Sequence, residues 1–263
     1  MMKRKPLFGT WLLFEIGFFT VQTAVAFSQT TPSQAPAANA LLAQLGTAFS
    51  GAVVVQHVQL NGNATWHAGS LNDSGTVTLT ASSDGSWQML LDLSGIGKKS
   101  ESRTGAGLEA TCQWSGSDGV LHPIAPGNCW KPATWFLPGL SLQSSIIPAY
   151  TATADLGNST VGSGATFYRH LQGWIDYGLF STAPPSDLAK QDIIDLGFDP
   201  VSLLPAVLSY SVRPDNGAAR AIQMEIHYAD YRPISGVRIP FHIQRFVNGS
   251  LQLDIVLDSA QIN

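Results

Sequence analysis

Apolar residues in this chain recur at every second position over long stretches, which commits most of it to β-strands with one dry and one wet face. Val77, Leu79 and Ala81 alternate with threonines, and Trp87, Met89, Leu91 and Leu93 form the next stripe after the turn residues Ser82-Ser83-Asp84-Gly85. Late in the chain Ile222, Met224, Ile226 and Tyr228 are followed by Val237, Ile239, Phe241 and Ile243, then by Leu251, Leu253, Ile255 and Leu257. Asn248-Gly249 makes the last turn of that meander. Such alternation is the mark of antiparallel sheets, and it predicts ten or so strands in one sheet-rich domain.

Two segments break the period. Asn39 is placed to cap a short helix whose Leu41, Leu42, Leu45, Ala48 and Phe49 recur at helical spacing up to Gly51. Lys131 to Pro148 is unusually apolar, and Pro132 suits a first helical position, with Pro138-Gly139 expected to break the insert into two short pieces. Pro184-Pro185 marks Ala183 to Leu188 as a loop, and Val161-Gly162-Ser163-Gly164 reads as a flexible turn.

The N-terminus carries an address. Lys3, Arg4 and Lys5 precede an apolar run from Leu7 to Val21, and Ala24-Val25-Ala26 supplies an A-x-A cleavage site, the pattern of a secretory signal peptide over residues 1–26. Residues 27–38, rich in Ser, Thr, Gln, Pro and Ala, read as a linker, and residues 39–263 as the β domain. The expected location is periplasmic or secreted, with no transmembrane segment after cleavage. Cys112 and Cys129 lack the C-x-x-C spacing of redox or zinc motifs, so in an exported chain they are expected to form a structural disulfide.

Chemistry is harder to find. Only 12% of residues are charged and the net charge is -4, which argues against a nucleic-acid partner. The six histidines show no metal-binding spacing, although His57 and His67 could meet across a hairpin, and no cofactor is expected. Nucleophile-elbow, phosphate-loop and dinucleotide motifs are missing, so no catalytic residue is assigned. Asp192, Asp195 and Asp199 read as strand-edge and turn residues. Of seven tryptophans, Trp66, Trp87, Trp114, Trp130 and Trp135 crowd the first half, in a core or around a cavity left by a curved sheet and apolar helices.

The last third is more specific. Asp199-Pro200-Val201-Ser202-Leu203-Leu204-Pro205 ends one strand and begins another; Tyr228-Ala229-Asp230-Tyr231-Arg232-Pro233 and Gly236 lead into Val237-Arg238-Ile239-Pro240-Phe241. Pro233 and Gly236 are read as the hairpin turn, with Pro240 needing an unpaired amide position. This succession resembles the tail of the LolA and LolB-like outer-membrane lipoprotein carrier superfamily, most clearly over residues 188–263. The resemblance implies a mainly β (α+β) fold, a curved antiparallel sheet or incomplete barrel with helices covering its concave face. It also implies an exported, non-catalytic binding protein for a lipid, a lipoprotein acyl chain or another apolar ligand, or one that meets an envelope protein partner. Trp87, Met89, Leu91, Trp135, Phe136, Met224, Ile226 and Phe241 are the candidate cavity residues. The alternatives are a structural or regulatory interaction module with a self-filled core, and a hydrolase built on a buried Ser, His and Asp cluster.

Overall fold

The computed structural model describes residues 36–129, 131, 134–142, 151–175, 192–213 and 221–263. The leader, most of the linker, Trp130, Pro132, the end of the second apolar insert and the 183–188 loop lie outside the described residues. A helix, α1 (Pro36–Ser50), precedes the strands β1 (His57–Ala68), β2 (Leu71–Ser82), β3 (Trp87–Leu93), β4 (Gly97–Thr104), β5 (Thr111–Ser115) and β6 (Leu121–Ile124). Two short helices follow, α2 (Pro126–Cys129) and α3 (Pro138–Ser141). The strands then resume as β7 (Thr151–Thr160), β8 (Phe167–Ile175), β9 (Ile194–Phe198), β10 (Pro205–Val212), β11 (Ile222–Ile234), β12 (Val237–Val247) and β13 (Ser250–Ile262).

The thirteen strands of the described residues belong to one curved, open antiparallel sheet in the order β6-β5-β4-β3-β2-β1-β13-β12-β11-β10-β9-β8-β7. Two meanders are therefore joined by a single seam, between the first and last strands. Val58 pairs with Ile262 and Trp66 with Leu253 along it, with a bulge at Asn61/Gly62. Gly62 is required there, because a Cβ would lie 2.3 Å from the Val256 carbonyl oxygen. Since β6 and β7 are the two free edges, the chain between them must travel from one side of the sheet to the other.

That crossover packs on the face where the period-two stripes converge. Val58, Leu60, Leu79, Met89, Leu91, Ile226, Ile239, Phe241, Ile243 and Ile255 are buried there against Trp135, Phe136, Leu137 and Leu140 of the crossover and Phe49 of α1. The helix adds a second cluster, in which Leu41 and Leu45 meet Leu142, Leu171 and Phe198. Each large side chain buried in this way stabilises the fold by about 1.5–3 kcal/mol. Gly139 sits at the closest approach of α1 and α3, where a Cβ would come within 2.2 Å of the Phe49 ring.

Several local expectations need correction. The first helix starts at Pro36, so it takes in Pro36, Ala37 and Ala38 of the expected linker, and Asn39 lies inside it and not at its cap. A proline at the first helical position gives up no hydrogen bond and is already set near helical φ. The same reason makes Pro138 the start of α3 and not a break. Pro233 lies within β11 opposite Arg238, and the turn is Ser235-Gly236, with φ of 48° and 85°. Pro240 does fall where β12 has one unpaired side, because β13 joins β12 only from His242 onward. The turn at Val161-Gly162-Ser163 is held down, since the Ser163 amide donates to Glu225 Oε2 at 2.7 Å.

Candidate functional site

A cavity of about 310 Å³ opens at one end of the core face, between the sheet and the start of the crossover. Trp66, Trp87, Trp114 and Trp135 line it, with Met224 and Arg245. Its volume is at the lower end of the range for small-molecule sites, which are lined mainly by apolar and aromatic side chains with a few fixed polar groups. Trp87 meets Trp135 edge-on at 6.4 Å between centroids and Phe136 at 6.1 Å, and Trp135 meets Phe136 at 5.5 Å. Trp87 and Trp135 thus form a cavity wall that is backed edge-on by the buried Phe136 ring. Tyr228 hydroxyl donates to the Trp135 carbonyl and so fixes the turn that carries Trp135 to the sheet.

The start of the crossover is tied down on both sides of the cavity. Cys129 of α2 is bonded to Cys112 of β5, on one side of the cavity. On the other side Asn128 Oδ1 accepts the Arg213 amide at 2.9 Å, and Lys131 Nζ donates to the Ser211 carbonyl at 3.0 Å and lies 3.0 Å from Asp192. Burial pushes the Lys131 amine below its ordinary range, against the opposing pull of Asp192. The strap thus spans from β5 to β10.

The floor holds a second charge on the apolar face. Arg245 is 5% exposed and donates through Nη1 and Nη2 to both oxygens of Glu101, at 2.9 and 3.0 Å. Burial alone would lower the guanidinium pKa, but the Glu101 carboxylate outweighs it and holds the group above its usual range. The guanidinium also lies 5.0 Å from the Trp135 ring centroid and 5.8 Å from that of Trp66. Burial raises the Tyr210 hydroxyl pKa in the same cavity. The charges are paired within the protein, and the indole walls leave most of the lining apolar.

The eight candidate cavity residues divide. Trp87, Trp135 and Met224 line the cavity, whereas Met89, Leu91, Phe136, Ile226 and Phe241 are packed in the core and between 0% and 3% exposed. Trp66 and Trp114, noted in the sequence for their crowding, join the site, as do Arg245 and Glu101, which sequence reasoning missed. Their signal was phase. Arg245 continues the stripe Val237, Ile239, Phe241, Ile243, and Glu101 pairs with Met89 in register.

His57 and His67 do not meet, because they sit near opposite ends of β1, about 33 Å apart at the usual rise per residue. His57 instead contacts Ser82 and His67 contacts Asn72. Among the described residues no group of three or more His, Cys, Asp or Glu is placed to hold a metal. The other face of the sheet does carry a Ser-His-Asp row: Ser159 Oγ lies 2.7 Å from His170 Nδ1, and His170 Nε2 lies 2.8 Å from Asp195 Oδ1. Its ring nitrogens are used in the reverse order from a serine-hydrolase triad, where Nε2 faces the hydroxyl. Asp195 also accepts from Gln172 Nε2 at 2.9 Å, so the row is part of a wider strand-face network.

No family model matches the chain, and no curated protein sequence matches it. Solved structures do. A Vibrio parahaemolyticus domain described as an outer membrane lipoprotein-sorting protein superposes with a TM-score of 0.54 at 9% identity, over 86% of this chain and 93% of its own. A LolA superfamily protein from Nitrosomonas europaea gives 0.50 at 9% identity, over 86% and 93%. The chain has the LolA-superfamily fold. A DUF1329 family protein from Desulfovibrio piger shares it too, with a TM-score of 0.52 at 10% identity over 86% of this chain and 92% of its own. The LolA-like curved sheet is here crossed by a strap whose Phe136, Leu137 and Leu140 are fully buried, leaving the tryptophan-lined cavity at one end. Among the described residues no helix is long and apolar enough to cross a membrane.

Proposed function

We propose that this is an exported, non-catalytic binding protein of the bacterial envelope, periplasmic or secreted, that holds a lipid, a lipoprotein acyl chain or another apolar ligand beside its strap. The observation that carries this reading is the 310 Å³ cavity lined by Trp66, Trp87, Trp114 and Trp135, on a fold shared with a domain described as lipoprotein-sorting. Internal pairing of Arg245 with Glu101 leaves the apolar surface to select the guest. Trp87, Trp135 and Met224 are the contact residues of the sequence-derived set. Native mass spectrometry and lipid extraction of protein purified from its own envelope test the reading. A retained acyl species, displaced by an acyl probe and lost in Trp87→Ala, is expected; ligand-free protein that takes up no acyl probe overturns it.

A second reading has its own support. Phe136, Leu137 and Leu140 fill the centre of the core face at 0% exposure, as a module that meets an envelope protein would require. Capture of a cross-linked envelope protein by lipid-free material, with unchanged stability in detergent, favours that version.

A further inference from the structure

Three hydrogen-bond donors in the cavity wall have no acceptor. Trp87 Nε1, Trp135 Nε1 and Arg245 Nε are buried without a hydrogen-bond partner, and all three side chains line the cavity. The residues are 8%, 2% and 5% exposed, so bulk water does not replace the missing acceptor. Folded proteins pair nearly all of their buried polar groups, and three unpaired ones around a single cavity call for an explanation. Their side chains are held in place: Trp87 and Trp135 stand edge-on to Phe136, and Arg245 is fixed through Nη1 and Nη2 by the two oxygens of Glu101.

The three groups share one chemistry. An indole Nε1 and a guanidinium Nε donate and cannot accept, so what they lack is an acceptor. The charges around them cancel. Among the described residues the cations that line the cavity are Arg245 and Lys131, and Glu101 matches the first at 2.9 Å while Asp192 matches the second at 3.0 Å. A guest that brought a carboxylate or phosphate inside would compete with these acids for the same cations, and burying a charge without its own partner is costly. A neutral acceptor meets the donors without that cost. An ester carbonyl fits this description better than a secondary amide, because the amide brings a further N–H to a wall that is short of acceptors.

We infer that the cavity selects acyl esters, with Trp87, Trp135 and Arg245 donating to the neutral ester group while the hydrocarbon chain lies along the apolar remainder of the wall. The inference rests on the reading of the cavity as an apolar-ligand site, and it narrows that reading from apolar guests in general to one linkage. Trp87 and Trp135 then have two separate duties: their rings supply apolar surface to any guest, and their N–H groups distinguish an ester from a plain hydrocarbon. A site with buried donors rejects analogues that leave those donors unpaired, which is how a few polar groups in a largely apolar pocket set specificity.

Titration of the protein, purified from its envelope and stripped of retained lipid, with methyl octanoate, octanoate and octane tests this. Tryptophan emission reads binding, and W87F and W135F each keep an aromatic ring while removing one donor. Each substitution is expected to weaken methyl octanoate by about fivefold, the worth of one hydrogen bond, and to leave octane within about twofold. In the unaltered protein labelled with 15N-indole, the Trp87 and Trp135 Nε1 protons should move downfield with methyl octanoate and not with octane. Ester affinity unchanged in both variants, octane weakened as much as the ester, octanoate bound more tightly than its methyl ester, or indole protons that stay put with the ester each overturn the inference. Displacement of bound methyl octanoate by dioctanoyl phosphatidylethanolamine supports it with a membrane lipid as the source, displacement by a dioctanoylglyceryl-cysteine peptide supports it with a lipoprotein as the source, and displacement by neither overturns it. Octane and ester bound alike in every variant sinks this inference alone, whereas a protein that binds none of the probes sinks the apolar-ligand reading with it.

Discussion

Arg245 on β12 holds both carboxylate oxygens of Glu101 on β4, a bidentate pair between residues 144 positions apart that bridges the two meanders. Arg245 is buried and Glu101 a quarter exposed, so removing the acid strands a cation that water only partly reaches. Glu101→Gln should therefore lower unfolding free energy by about 2–3 kcal/mol, somewhat under the usual cost of breaking a fully buried pair. Arg245→Met with Glu101→Leu should cost less than Glu101→Gln alone. Urea titration of the three proteins measures both, and a double variant worse than the single one would count against this account.

The Cys112–Cys129 bridge closes a loop with a sequence separation of 17 and anchors one wall of the cavity. Its loss, by Cys112→Ser or by reduction, should lower stability by about 3 kcal/mol on the chain-entropy view. Thermal melting with and without reductant reads the effect; an unmoved melting temperature would show that the bridge contributes nothing.

Asp73 contributes to the acid limb, beside Asp199 and Glu225, whose pKa values are also lowered. Its oxygens accept the Ile96 amide at 2.5 Å, the Gly95 amide at 3.0 Å and the Ser94 hydroxyl at 2.9 Å, closing the turn between β3 and β4. The Ile96 amide foremost, with Gly95 and Ser94, lowers its pKa below 3.8, although burial opposes the shift. A lowered folded pKa means stability that is present above pH 3.8 and lost as pH falls through the folded value. Asp73→Asn should be less stable at neutral pH, and its gap to the parent should narrow on acidification below 3.8. Equal stability at pH 7, or a gap that widens in acid, contradicts this assignment.

Gly139→Ala drives a methyl into the Phe49 ring across the junction of α1 and α3. A loss of about 1–3 kcal/mol is expected from such overpacking. Phe49→Leu in the same protein should recover part of it, a non-additivity that a double-mutant cycle detects.

Ser159 should stay unlabelled by a fluorophosphonate probe under conditions that modify serine hydrolases, because His170 presents Nδ1 to it and Nε2 to Asp195. Stoichiometric labelling that is lost in His170→Ala would revive the hydrolase alternative.

Much of the fold was legible because side-chain alternation is a local property of an extended chain. The stripes at Trp87–Leu93, Ile222–Tyr228 and Val237–Ile243 appear as β3, β11 and β12 with the expected faces inward. The site was less so. Met89 and Met224 both occupy inward positions, yet Met89 is packed and Met224 borders the cavity, since the period states which face is dry and not what covers it. The charges on that face were visible as phase errors, Arg245 after Ile243, but their meaning waited for a partner on another strand.

By itself, then, the sequence determined strand-rich structure, inward faces and turns such as Asn248-Gly249, all consequences of periods and backbone preferences over a few residues. Tertiary structure alone decided that β1 closes on β13, that the chain between β6 and β7 crosses the core face, and that four indoles surround a gap there. An apolar stripe lowers its free energy against any apolar partner. Which partner it receives depends on closing long loops and on how completely one short strap fills a curved sheet.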